Sequence, residues 1–323
     1  MSVTVCIPAW NSEPFIAETL QSVREQTMEA ITVLISVDKS DDRTLEICLE
    51  FGEQDSRFQV FSQTHRLGWV ENVNWLLRRV ESDFASILPH DDLISPPYLE
   101  KLLATLRLQP EAVLAFCDIA TFGEHEAIRV GPEVTGDLFT RTVRFLSSNT
   151  MAEAWRGVFR SNVLENACYH EQINGAAADQ VWLLRLVIQG CLVRLPETLY
   201  RKRLHAGSIV SRAFDERGAP NDAHWVDHCV SCHNIAMAAS RWTEPERQAI
   251  AFAVLMRVIS RVRVRSDEMM TALLADVTDY SLRLSGLIPL GSRFLDPADL
   301  PEELTSYLES ELKLPWATLG SGA

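Results

Sequence analysis

The sequence predicts an α/β protein: a mainly parallel sheet with helices on both faces, followed by an all-helical C-terminal region. Three observations carry that expectation. Short β-branched runs alternate with helix-period segments from the N-terminus to about residue 203, and strands separated by helices imply right-handed crossovers and a sheet covered on both sides. Beyond Asp222 the strand pattern stops, and Pro or Gly separates four helical segments, 222–240, 244–264, 267–284 and 301–312. The chain has 323 residues with 47% hydrophobic and 23% charged, enough for a sizeable core and a second unit. We divide it into 1–215 and 216–323.

The elements follow in order. Val3 to Ile7 reads as a buried strand. Ser12 can cap a helix with Pro14 in its first turn, where Ile16, Leu20 and Val23 recur at helical spacing. Ile31 to Val37 is the second strand, followed by a polar turn and a helix to about Phe51; Phe58 to Phe61 is the third. A helix through Val70, Val73, Leu77 and Val80 leads to a strand Phe84 to Leu88, a helix Pro97 to Leu108 and a strand Ala112 to Phe116. After a long stretch, 119–156, with a helix from Asp137 to Leu146, come Gly157 to Arg160, a helix Asp179 to Gln189, and two strands, Cys191 to Leu195 and Thr198 to Arg203.

Composition removes several function classes. Thirty Lys and Arg against 44 Asp and Glu give a formal charge of -14, which disfavours a broad grip on nucleic acid and requires a local remedy for any anionic substrate. The seven Cys are an odd set in mostly apolar strings, as expected of buried, reduced thiols in a cytoplasmic protein. A strand begins at Val3, leaving no room for a secretory leader. The longest apolar run, Ala249 to Met256, is far below the roughly 20 residues of a membrane span. The expectation is a soluble protein, at most peripheral on the inner face of a membrane.

Polar residues cluster at carboxyl ends of strands, where open α/β sheets bind ligands. Pro8-Ala9-Trp10-Asn11 ends the first strand, with a ring that can stack on a base or simply close the rim. Asp38 to Thr44 follows the second; Asp38 can accept hydrogen bonds from a base or ribose, while Asp42 is better read as a helix cap. His90-Asp91-Asp92 follows Leu88-Pro89, and adjacent carboxylates there suit Mg2+ or Mn2+, or a cap for the next helix. Asp179 opens a helix, either as a charge favoured by the helix N-terminus or as a proton acceptor. Arg201 and Arg203 share a strand face, and His205 lies just beyond, within reach of metal or phosphate.

Together these segments, over about residues 3–211, resemble the family 2 glycosyltransferases with a GT-A fold. The family pattern is matched by Pro8 to Asn11, Asp38 to Thr44, Gly68 with Asn74, His90 to Asp92, Asp179, and Arg203 to Ser208. The resemblance implies an inverting transfer from a nucleotide-diphosphate sugar, a UDP-sugar favoured, to a hydroxyl of a glycan, lipid-linked or small-molecule acceptor, as in surface polysaccharide or glycoconjugate synthesis. It implies Asp179 as catalytic base, Asp91 and His205 as ligands of Mn2+ or Mg2+, and Pro8, Ala9, Trp10, Asn11, Asp38, Gly68, Asn74, His90, Asp92 and Arg203 around the nucleotide. Three positions depart from the pattern: Pro89 stands where the first Asp of an Asp-x-Asp motif belongs, Lys39 replaces a glycine, and Ala178 replaces a Glu.

A non-catalytic nucleotide-sugar-binding protein is the alternative that Pro89 keeps open. A sugar-phosphate nucleotidyltransferase would need a glycine-rich loop after the first strand, and Pro8 to Asn11 is not one. In the C-terminal region, Cys229-Val230-Ser231-Cys232-His233 has the form of a haem-attachment motif but the setting of an ordinary helix. Arg257, Arg261, Arg263 and Arg265 read as a solvated helix face, or a patch for anionic lipid, and the region can serve as a homodimer interface.

Overall fold

The structure is a computed structural model describing residues 2–148, 151–164, 177–207 and 222–257, apart from 244, 248, 252, 255 and 256. The chain divides into two compact units, Met1–Arg141 with Thr150–Gly218, and Thr142–Asn149 with Ala219–Ala323. The inclusion of Thr142–Asn149 in the second unit was not foreseen from sequence.

In the first unit the described strands form one sheet, ordered β3-β2-β1-β4-β8-β6-β9-β5, with β7 beside β6. They are β1 Val3–Ala9, β2 Ile31–Val37, β3 Phe58–Ser62, β4 Phe84–Ile87, β5 Leu93–Ile94, β6 Ala112–Gly123, β7 Ala127–Arg129, β8 Val158–Arg160 and β9 Cys191–Leu204. The expected parallel arrangement holds for β3, β2, β1 and β4. Beyond β4 the sheet is mixed, because the short β8 inserts antiparallel between β4 and β6. The strand β6 then pairs parallel with β9, and β5 antiparallel to it. The two strands read at 191–195 and 198–203 are one: the register slips between Leu195 and Thr198, where Pro196 has no N–H for the ladder.

Val3, Val5 and Ile7 of β1 and Val33 and Ile35 of β2 share one buried cluster with α1 Ile16–Arg24, α2 Thr44–Gln54 and α4 Tyr98–Leu108. Strand residues of alternate parity face the other way, where α3 Trp69–Leu77 packs on β1 and β2, and α6 Ala178–Gln189 on β6 and β9. Trp182 of α6 is fully buried, edge-on to Phe159 of β8 at 5.1 Å. The Ser12 cap takes another form than expected: the helix starts at Ile16, and the Ser12 carbonyl accepts the N–H groups of Phe15 and Ile16. Cys6, Cys48, Cys117 and Cys191 are buried thiols, and burial pushes the first three up to about 12.

In the second unit, helix α7 Asp222–Ala238 carries Cys229 and Cys232, both fully buried. Residues 245–247, 249–251, 253, 254 and 257 are helical; the segments 267–284 and 301–312 lie outside the described residues. Arg257 corrects the solvated-face reading. It is 1% exposed and donates through Nη1 to the carbonyls of Phe145, Leu146 and Ser148, satisfying the C-terminal end of α5 Leu138–Ser147. For Arg257 the inferred exposure was therefore wrong. Arg261, Arg263 and Arg265 lie outside the described residues.

Candidate active site

The parallel order brings the carboxyl ends of β1, β2 and β4 side by side, and the loops there are tied together by side chains. After β1, Trp10 Nε1 donates to the Lys39 carbonyl at 3.1 Å. Asn11 takes a left-handed φ of 41°, which Asn tolerates; its N–H reaches Ser40 Oγ and its Oδ1 accepts from Asp41 N. The carbonyls of Pro8 and Ala9 accept from His90 Nδ1 and Asp38 N. Pro8 to Asn11 therefore form one wall with the acidic turn after β2.

In that turn Asp38 is 1% exposed and its oxygens receive the N–H groups of Lys39, Leu67 and Gly68. Arg66 completes the shell, with Nε 3.3 Å from Asp38 Oδ2 and its guanidinium 3.3 Å from the centre of the Trp10 ring. Sequence reasoning missed Arg66, a lone cation in a loop with no spacing to mark it. Gly68, at φ 80°, turns the chain into α3. Asn74 is buried within α3, and Asn72, two residues earlier, reaches the Ser36 carbonyl of β2 with its amide at 3.0 Å. Asp42, just before the Arg43 N-cap of α2, accepts from Thr44 N and Oγ1 and from Glu13 N.

The turn after β4 separates its two carboxylates. Asp91 Oδ2 lies 3.1 Å from His205 Nε2, with side chains 16% and 22% exposed. Phe15 packs on the imidazole at 4.5 Å between centroids. Asp92, expected beside the nucleotide, turns into the protein at 3% exposure and receives Arg156 Nε at 3.1 Å, Tyr200 OH at 2.7 Å and Arg203 N at 2.9 Å. Burial pushes the Asp92 carboxyl up against the pull of Arg156. His90 and Arg203, likewise expected at the nucleotide, brace this turn: Arg203 Nε donates to the Asp91 carbonyl and Nη2 to Glu18, and the His90 carbonyl accepts from Thr19. Ser208 lies outside the described residues.

Asp179 stands in the first turn of α6, behind Ala177 with a left-handed φ of 53°. Burial pushes its carboxyl up, and Arg156, then N–H groups at the helix start and Lys202, pull it down. Lys202 of β9 is itself depressed to about 8, first by burial and then by Arg156. Arg156 thus acts on both Asp92 and Asp179. The sequence signal for it was faint, an arginine in the irregular stretch before Gly157.

The resemblance implies a divalent cation, and the donors fit one. Asp91 and His205 contact each other at 3.1 Å as a hydrogen-bonded pair, and each is a residue type that can ligate a divalent ion. A carboxylate oxygen with an imidazole nitrogen suits Mn2+ better than a purely oxygen-seeking ion. No group of three or more His, Cys, Asp or Glu suited to a metal occurs among the described residues. No helix among them is long and apolar enough to cross a membrane.

The sequence profile described as Glycosyl transferase family 2 matches residues 4–161. An uncharacterized glycosyltransferase of Haemophilus influenzae is 26% identical over 222 residues, 65% of this chain and 67% of that protein. EpsH of Bacillus subtilis, provisionally named a glycosyltransferase, is 27% identical over 228 residues, 65% of this chain and 63% of that protein. Residues 1–349 of S. aureus TarS, crystallised with UDP-GlcNAc, superpose with a TM-score of 0.71 at 18% identity, covering 95% of this chain and 87% of that one. Residues 4–161 thus match glycosyl transferase family 2, and the fold is GT-A-like.

Proposed function

We propose that this glycosyltransferase moves a sugar, with inversion, from a UDP-sugar to an acceptor hydroxyl, using Asp179 as base and a divalent cation held by Asp91 and His205. The observation that carries the reading is the Asp91–His205 pair, 3.1 Å apart, which joins the turn after β4 to the end of β9. Trp10 and the Asp38 loop would take the base, and Arg66 must yield the Trp10 face for a ring to stack there. The S. aureus TarS neighbour, solved with UDP-GlcNAc and with UDP, supports a uridine donor, and a mannosyltransferase neighbour solved with GDP-Man and Mn2+ supports the ion.

In the reaction, the Asp179 carboxylate accepts the proton of the acceptor hydroxyl as its oxygen attacks the anomeric carbon from the face opposite the leaving group. The bond to the diphosphate breaks with its electron pair passing to the departing oxygen. Bound between Asp91 and His205, the cation would supply positive charge to that leaving group, the local remedy a chain of formal charge -14 requires. An acceptor for surface polysaccharide, work at the inner membrane face and a dimer through residues 216–323 belong to the same proposal.

The test is a panel of nucleotide sugars in thermal shift with and without Mn2+, followed by release of nucleotide from the best binder. A Mn2+-dependent upward shift with UDP-sugars and slow nucleotide release in water are expected. Binding without any release or transfer would favour the non-catalytic alternative.

A further inference from the structure

We propose that Arg66 is a built-in competitor for the base site: its guanidinium occupies the Trp10 face, and the base of a nucleotide binds there by displacing it. The inference rests on the functional reading above for the nature of the ligand, but not for the contact itself.

The platform is fixed by the chain alone. Trp10 follows β1, and its Nε1 donates to the Lys39 carbonyl at 3.1 Å, which sets the plane of the indole. The Arg66 guanidinium lies 3.3 Å from the centre of that ring. A guanidinium is flat and delocalised and stacks on aromatic faces, so it takes the place that a planar base would take. Its Nε stands 3.3 Å from Asp38 Oδ2, and this ion pair holds it over the ring.

The same loop shows which partner can leave. Arg66, Leu67 and Gly68 are consecutive, and all three turn donors towards Asp38, the Leu67 N–H at 2.7 Å and the Gly68 N–H at 2.9 Å. Asp38 also accepts from Lys39 N at 3.0 Å, so three backbone donors remain on this buried carboxylate when the Arg66 side chain swings away. That side chain is 42% exposed, against 1% for Asp38, and it can exchange its contacts for water. Displacement therefore leaves the three main-chain hydrogen bonds to Asp38 intact, and the loop keeps its shape. The competition lowers the affinity of every base-bearing ligand by one factor, set by the fraction of molecules with the face open. A lone nucleoside is then held poorly, while a ligand with further contacts is retained.

Calorimetry with uridine on the full chain and on Arg66→Ala tests this. Removing the competitor should tighten uridine binding about tenfold. An unchanged affinity, a weaker one, or no binding to either protein overturns the proposal, the weaker one because Arg66 would then grip the base. Arg66→Lys keeps the charge without the plane and should tighten binding by a smaller factor; affinity equal to that of the parent would place the effect on charge and overturn the stacked contact. A second readout is the Arg66 Nε–H resonance, identified by its loss in Arg66→Lys. It should lie upfield under the Trp10 ring current and move downfield as uridine saturates the protein, and a resonance unmoved at saturation overturns displacement. Neither readout needs turnover: tighter uridine binding without sugar transfer sinks the functional reading alone, and transfer with unchanged uridine affinity sinks this proposal alone.

Discussion

The two acidic turns, after β2 and after β4, look alike in sequence and differ in what the fold does with them. After β2, Asp38 receives three backbone N–H groups and lies by Arg66, and Asp42 receives three donors at the head of α2. Both carboxylates are spent on shaping loops. After β4, Asp92 is spent in the same way, while Asp91 faces His205 at the surface of the turn. A buried carboxylate must be fully paired to be tolerated, whereas one at partial exposure can exchange its partner for a ligand. The difference teaches that, of two adjacent acids, only the less satisfied one keeps a carboxylate free to exchange its partner.

The strongest challenge comes from a third acid, Asp179, the base of the proposed reaction. Asp179→Asn should lower transfer by about 10²–10⁴-fold with UDP affinity nearly unchanged, the range general base catalysis supplies. Steady-state kinetics beside calorimetry measures both. Equal loss of rate and affinity would make Asp179 a structural acid like Asp92.

Within the turn itself, Asp91 and Asp92 should separate cleanly. Asp91→Asn should abolish the Mn2+ dependence of UDP binding in calorimetric titration while leaving the melting temperature within a degree or so, since partly exposed pairs contribute little. Asp92→Asn should do the reverse, destabilising by about 3 kcal/mol in urea unfolding because Arg156 is left buried without its anchor. If both variants lose metal dependence and keep their stability, the division of labour between neighbours is wrong.

The sheet through β4 and the places of Asp91, Asp179 and His205 were legible because local pattern decided them: β-branched runs, strand ends, a helix start. The mixed half of the sheet was not. The insertion of β8 is a three-residue, long-range pairing, and no periodicity in Val158–Arg160 states its direction. The inward turn of Asp92 depends on Arg156 and Tyr200, distant by 64 and 108 positions. Arg257 misled for the same reason, its carbonyl partners lying more than 100 residues earlier. Sequence spacing identifies which carboxylates cluster, and only packing assigns which of them is already used.

The smallest effect tests the first turn. Burial pushes the Asp42 carboxyl up, but the Thr44 hydroxyl and the N–H groups of Glu13 and Thr44 outweigh it and hold it below its ordinary value of 3.8. A carboxyl lower in the folded than in the unfolded chain adds stability above the unfolded value, and that addition disappears as pH falls through the folded one. Asp42→Ala should therefore cost about 1 kcal/mol at neutral pH, the usual worth of a helix cap. Urea unfolding at pH 7 and at pH 3 should show the gap between variant and parent narrowing at the lower pH, with nucleotide binding at pH 7 unaltered. A gap that persists below pH 3 would mean that Asp42 acts by shape alone and that its charge contributes nothing to the wall it builds between Glu13 and α2.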